Sequence, residues 1–311
     1  MQVKTGLDLI EPMMPVLVKE ITDSPDYVYQ VKWDGVRMLA YLSSRKVTLL
    51  NKRGHLRTEQ YPELQELPAL LRISEAIVDG ELVVLKNGKP NFPAILRRDL
   101  CASRQVIPIK ALYPVHYMIF DMPFAGRDIR AMPLLERQSL LSHTLAESEW
   151  AQTVENFSEG GSLFAAIKKQ DMEGIVIKRA LSPYVGGKKH RDWLKYKYRR
   201  TQYCVVGGYT LNGSTVNALL LGVYRDQNLL YVGKAGTGLR QEDWSILTKE
   251  LPPMSMPTSP FANKPAAQGY FFVQPQLTLR VEFAEWTDTL TLRSPVITGF
   301  SNKPPDECRL E

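Results

Sequence analysis

Only three cysteines occur in 311 residues, Cys101, Cys204 and Cys308, an odd number at wide spacing. They supply neither a disulfide framework nor a CxxC metal pair, so a reducing, cytoplasmic setting is expected. Long apolar runs are missing too. Stretches such as residues 218–221 stop far short of the ~18 residues that a spanning helix needs, which excludes a helical membrane protein. Near the N-terminus stand Asp8, Glu11, Pro12 and Pro15, where a signal peptide requires uninterrupted apolar residues. With 20 glycines and 21 prolines the chain is neither collagen-like nor of low complexity, and no internal repeat is visible. The length suits two domains better than one or three.

What the chain does have is a surplus of positive charge, a formal net +6. From Gln202 onward 9 basic residues face 10 acidic ones, so the surplus lies entirely in the first 201 residues. Part of it is one short cluster, Lys188, Lys189, Arg191, Lys195, Lys197, Arg199 and Arg200, opposed only by Asp192. Such density suits polyphosphate or nucleic acid, and equally a solvated surface; charge alone does not decide.

Hydrophobic alternation predicts strands over 27–32, 36–42, 47–50, 76–85, 115–120 and 174–178. Pro133 is expected to open a helix carrying Leu134, Leu135, Leu141 and Leu145, and Ser162 to cap another over 163–170. Strands and helices mixed without βαβ regularity point to an α+β domain with mainly antiparallel sheets. Beyond the basic cluster, strands are predicted over 203–209, 216–224, 229–232, 270–273 and 277–285, with one helix over 240–251. Five short strands and a helix in this length match the element count of an all-β OB-fold barrel. The proline-rich stretch 252–265 reads as a loop. The expected domains are therefore 1–201 and 202–311.

Several segments carry chemistry. In Lys32-Trp-Asp-Gly-Val-Arg37 a lysine ends a strand beside a tight turn and a second cation. A protonated lysine is a poor nucleophile; nearby positive charge or desolvation frees its lone pair. Taken alone, the segment reads equally as a hairpin with an exposed lysine. It is joined by Asn51-Lys-Arg53-Gly, Asp79-Gly-Glu81-Leu, Phe120-Asp121, Glu173-Gly-Ile-Val-Ile-Lys178 and Trp193-Leu-Lys195-Tyr-Lys197, whose two lysines share one strand face. Two acids, an aromatic ring and several cations are what a nucleoside triphosphate with a hard metal needs: acids for magnesium or ribose, the ring for a base, cations for phosphate.

In this order and at these spacings, the six segments resemble those of the covalent nucleotidyltransferases, and within them the ATP-dependent DNA ligases. The likeness runs over about residues 12–303 and is closest to the ligase modules of bacterial end-joining ligases. Residues 182–195, 231–238 and 282–287 support it. The resemblance implies an ATP-grasp-like α+β nucleotidyltransferase domain followed by an OB-fold domain. It also implies Lys32 as the nucleophile that becomes lysyl-AMP, Gln30 at the adenine amino group, and Arg37 and Arg53 at phosphates. Glu81 is implied at the ribose, Phe120 stacked on adenine, Glu173 as a metal-linked carboxylate, and Lys195 and Lys197 at the α-phosphate. ATP and Mg2+ are the implied cofactors, with Glu81 and Glu173 toward the metal. Nicked duplex DNA is the implied substrate, bound without sequence preference; a DNA end-binding protein is a candidate partner, and a monomer is expected. The last family motif is eroded: Arg293, Pro295 and Lys303 agree, but the arginine after Gly299 is absent and Asn302 replaces Asp. Lys303 is thereby left as the pyrophosphate contact, and slow self-adenylylation is expected. The rival readings are an RNA ligase, a capping-type nucleotidyltransferase, or a non-catalytic OB-fold nucleic-acid-binding protein.

Overall fold

The computed structural model describes residues 6–43, 46–263, 269–287 and 289–310. The chain divides into two compact units, Met1–Tyr198 and Arg199–Glu311.

The first unit is built on two sheets. One has the strand order Met14–Leu17, Lys189–Lys197, Gly174–Arg179, Tyr27–Val31, and only its first pair is parallel. The other runs Lys46–Asn51, Val36–Ser43, Glu75–Lys86, Val115–Ala125, Ala151–Thr153, with Lys89–Pro90 folded back on Glu75–Lys86. Its core side is packed with Met38, Leu42, Leu49, Val78, Tyr117 and Ile119. Each fully buried side chain of this size contributes ~1.5–3 kcal/mol.

Helix Gly160–Lys169 covers one face of the four-stranded sheet. Its Leu163 and Ile167 meet Tyr29, Ile175 and Ile177, so strict alternation turns Val176 and Lys178 to the other face. This helix starts before Ser162, contrary to the sequence reading. The orphan N–H groups of its first turn need an acceptor, and the Asp23 carboxylate supplies it, taking bonds from the backbone of Gly160 (2.6 Å) and Gly161 (3.3 Å). The Ser162 hydroxyl instead donates to Glu159. The other expected helix is Leu134–Thr144, with Pro133 at its N-cap. Two further helices, Phe92–Leu100 and Val106–Leu112, are absent from the sequence reading; the first carries a start signal, Asn91 accepting from the Ala94 N–H (2.9 Å) with Pro93 in the first turn.

Among the described residues the second unit is one seven-stranded sheet in which every ladder is antiparallel, packed on helix Gln241–Glu250 through Trp244 and Leu247, an arrangement consistent with an OB-fold. Two strands exceed the expected five. Ser255–Met256 lies inside the proline-rich stretch read as loop, whose last positions, 264 and 265, fall outside the described residues. Val296–Ser301 pairs with Thr278–Phe283; Gly299 and the exposed Phe300 break the alternation that would mark it. Among the described residues no helix is long and apolar enough to cross a membrane.

Candidate active site

A pocket opens between the two sheets of the first unit. Gln30, Lys32, Arg37, Glu81, Phe120 and Lys178 are among its lining residues. Lys32 directly follows strand Tyr27–Val31, and its backbone N–H is held by the Gly174 carbonyl (2.9 Å). Two glycines make the close approach possible. A Cβ at Gly35 would lie 2.2 Å from the Leu82 carbonyl oxygen, and one at Gly174 (φ +146) 2.2 Å from that of Tyr196. No side chain fits either place.

Glu173 bridges two cations: its carboxylate accepts from Lys32 Nζ at 2.5 Å and from Lys197 Nζ at 2.7 Å. Burial works to raise the Glu173 pKa, but the two lysine charges outweigh it and hold the carboxyl below its ordinary value. Lys195 shares a strand face with Lys197. Desolvation, reinforced by the charges of Lys197 and Lys32, lowers its pKa. Glu81 behaves oppositely: burial pushes its carboxyl up to about 7 against the pull of Lys32 and Arg37.

Arg37 stands where the sequence put it but is already engaged. Its guanidinium grips the buried Asp79 carboxylate through Nε (2.5 Å) and Nη2 (2.6 Å). Tyr184 donates to the same carboxylate at 2.6 Å. The guanidinium lies over the Phe120 ring, 4.4 Å from its centroid, and Nη1 remains the donor free of Asp79. Arg53 is not brought into this pocket. It sits on an exposed turn held by Asn51 Oδ1, at a neighbouring opening that also includes Glu11 and Gly187. Lys303 belongs to the second unit, where its Nζ lies 4.9 Å from the centroid of the Tyr203 ring.

In the sequence Lys178 stands only as the end of a motif. It is 2% exposed, with Nζ 4.3 Å from the Phe120 ring centroid and 4.1 Å from that of Trp193. Burial, only partly offset by Asp121 and Asp79, lowers its pKa to about 7. Alternation along 174–178 was the available signal, because it puts Lys178 on the pocket side with Val176. The fully buried ion pair Arg137–Asp121 (2.8 Å) is a second feature that the sequence did not announce; it fixes helix Leu134–Thr144 to the strand that carries Phe120.

An amine beside a carboxylate, two further lysines and an aromatic-walled pocket can hold a purine nucleotide and attack its phosphorus. The comparisons agree with that chemistry. Residues 12–197 match the ATP dependent DNA ligase domain and residues 212–303 the ATP dependent DNA ligase C terminal region. The chain belongs to the ATP-dependent DNA ligases, enzymes whose nucleotide is ATP. The multifunctional non-homologous end joining protein LigD of Pseudomonas aeruginosa is 30% identical over 311 residues, covering 95% of this chain and 36% of that protein. The LigD DNA repair protein of Mycobacterium tuberculosis is 31% identical over 292 residues, covering 90% of this chain and 37% of its own length. The chain thus spans little more than a third of these curated relatives. Among solved structures, mycobacterial DNA ligase D complexed with ATP and MES is similar over 100% of both chains, with 28% identity and a TM-score of 0.57.

Proposed function

We propose that the chain seals 5′-phosphate/3′-hydroxyl nicks in duplex DNA through lysyl-AMP and AMP–DNA intermediates, in DNA repair or recombination. The observation that carries this reading is the Lys32–Glu173–Lys197 bridge, whose Lys32 lines a pocket with Gln30, Glu81 and Phe120. The base lies against Phe120 with Gln30 at its amino group, and Glu81 takes the ribose hydroxyls. Glu81 lines the pocket, where its carboxylate can accept from a ribose hydroxyl. Lys32 Nζ, having released its proton to solvent, attacks the α-phosphorus; the N–P bond forms as the bond to the pyrophosphate oxygen breaks. Lys195 and Lys197 balance the charge that builds on the α-phosphate. Nη1 of Arg37 is the donor left for a phosphate, while Nε and Nη2 stay on Asp79 and the Met13 carbonyl.

Magnesium fits this donor set. Among the described residues no group of three or more His, Cys, Asp or Glu forms a closed cage, and Mg2+ is normally held by one or two carboxylates together with substrate phosphates. Glu173 and Glu81 would hold it, and when bound it supplies positive charge at the phosphates.

In the second step an oxygen of the nick's 5′-phosphate takes the AMP from Lys32. In the third the 3′-hydroxyl attacks that phosphate, and AMP leaves. Exposed Lys188, Lys189 and Arg191 suit a sequence-independent grip on the DNA backbone, weakened by salt. Arg53 and Lys303 are assigned to the nick phosphate and to pyrophosphate. Likeness to proteins named for non-homologous end joining supports a DNA end-binding protein as partner; the ligase itself acts as a monomer. Three buried free thiols suit a reducing, cytoplasmic setting.

The test is incubation with ATP labelled on its α-phosphate, with GTP alongside, followed by nicked DNA and nicked RNA duplexes. A covalent adduct with ATP, discharged on nicked DNA, is expected. No adduct would leave a non-catalytic binder; an adduct with GTP, or sealing confined to RNA, would move the chain to the rival nucleotidyltransferases.

A further inference from the structure

Gln30, Asn156, Gln138 and the backbone of Phe120 form an unbroken chain of hydrogen bonds. Gln30 Nε2 donates to Asn156 Oδ1 at 2.8 Å, Asn156 Nδ2 to Gln138 Oε1 at 2.7 Å, and Gln138 Nε2 to the Phe120 carbonyl oxygen at 2.9 Å. A primary amide has a donor end and an acceptor end of nearly equal shape, so a lone Gln or Asn can turn round at little cost. A backbone carbonyl cannot, because it only accepts. The other group at the Phe120 oxygen, Lys178 Nζ at 3.5 Å, only donates and leaves that polarity unchanged.

Working outward from Phe120, every orientation follows. Gln138 must turn its NH2 to the carbonyl, so its oxygen faces Asn156. Asn156 must then offer NH2 to Gln138 and oxygen to Gln30. Gln30 must spend its NH2 on Asn156, which leaves Oε1 as its group for the pocket it lines. Among the described residues nothing donates to that oxygen, although Gln30 is 2% exposed.

We propose that Asn156 and Gln138 are positioning residues that lock Gln30 with its carbonyl toward the nucleotide, so that the pocket selects a 6-aminopurine over a 6-oxopurine triphosphate. The inference rests on the reading of Gln30 as the base contact. A 6-amino group donates to Oε1, whereas a 6-oxo group meets it lone pair to lone pair. The relay is rigidly mounted. Tyr29 and Phe157 exchange both backbone hydrogen bonds (2.9 and 2.8 Å), which sets Asn156 beside Gln30. Arg137, next to Gln138, is clamped on Asp121. Phe120 thereby contributes twice, its ring to stacking and its carbonyl to base selection.

The test compares covalent adduct formation by the full chain with ATP and with inosine triphosphate, which carries a 6-oxo group in place of the amine. Asn156 is exposed, so substitution there leaves the core intact. Asn156→Ala frees Gln30 to turn and should lower the ATP/inosine triphosphate efficiency ratio about fivefold, the equivalent of one net hydrogen bond. Asn156→Asp, which can only accept, should hold the Gln30 NH2 and keep the ratio within about twofold of the unsubstituted chain, a margin well inside one such bond. A purely structural role would slow both nucleotides alike and leave the ratio unchanged in both variants; that result, or equal loss in both, overturns the relay. Gln30→Ala separates the two levels. If it leaves the ratio unchanged, the base contact itself is misassigned; if it collapses the ratio while Asn156→Ala does not, only the relay falls.

Discussion

Replacing Glu173 by Gln keeps the shape of the side chain and removes its charge, at a position where the charge has two partners. In the native site one carboxylate takes Lys32 Nζ at 2.5 Å and Lys197 Nζ at 2.7 Å. The amide has only one acceptor oxygen, so its NH2 must turn toward one of the two ammonium groups. A hydrogen bond to a charged group contributes ~1.5–3 kcal/mol net. Lys197, at 31% side-chain exposure, belongs at the low end of that range. Losing one such bond and weakening the other amounts to about 3 kcal/mol, which as a barrier is roughly a hundredfold in rate. The measurement is single-turnover formation of the lysyl-AMP adduct with α-labelled ATP at limiting magnesium. A melting midpoint within a few degrees of the unsubstituted chain shows that folding is intact. If Glu173→Gln formed adduct within about twofold of the native rate, a change far below that expected from one charged hydrogen bond, both the bridging and the metal role of Glu173 would be wrong.

Lys32→Ala should form no adduct yet still seal a nick that is already adenylylated, because the lysine takes no part in that last step; adduct in the variant, seen on a denaturing gel, removes Lys32 from the mechanism. Asp79→Ala removes both carboxylate acceptors from the half-buried Arg37 guanidinium, and breaking a pair whose carboxylate is fully buried costs about 3–5 kcal/mol. A drop in melting temperature of roughly 10 °C should follow, and calorimetry showing no shift would refute the pair's importance. The Lys178 amine, lowered to about 7 chiefly by burial, loses its proton in the native state while the unfolded chain still holds one. Its contribution therefore makes stability rise with pH above about 7, by ~1.4 kcal/mol per unit, until the unfolded lysine also titrates near ~10.4. Urea midpoints at pH 7 and 9 should show that rise in the native chain and lose it in Lys178→Met; equal rises would exclude Lys178 as its source.

Much of the site was legible because its parts are local. Lys32 and Gly35, Asp79 and Glu81, and Glu173 and Gly174 lie within a few residues of one another, and alternation alone assigns Lys195 and Lys197 to one face. What stayed hidden depends on contacts between distant segments. Arg37 reads as a free cation in its own hairpin. Only the pairing of Val36–Ser43 with Glu75–Lys86, which sets Arg37 opposite Glu81, brings Asp79 within its reach. The helix start assigned to Ser162 failed for the same reason, since the acceptor came from Asp23 on another segment. Neither Asn156 nor Gln138 belongs to a recognisable pattern, and nothing local joins them to Gln30. Ser255–Met256 escaped because two residues carry no alternation, and Val296–Ser301 because Gly299 and the exposed Phe300 break it.

The mounting of residues 154–160 has a consequence for which loops can change length. Val154 donates to the Ile119 carbonyl (2.8 Å), Phe157 is bridged to Tyr29, and Gly160 is tied to Asp23, so the segment is pinned at its start, middle and end. One inserted residue would forfeit at least one of these bonds, about 1 kcal/mol each. A slip of a single position also sends a strand-like side chain to the opposite face, which would carry Asn156 away from Gln30. The turn at Asn87 and Gly88 is the reverse case. Both residues have positive φ, and a Cβ on Gly88 would meet nothing within 4 Å. Extra residues there add only the slowly growing entropy of a longer loop. Insertions and deletions among proteins sharing this fold and nucleotide preference should therefore collect around 87–88 and be absent from 154–160.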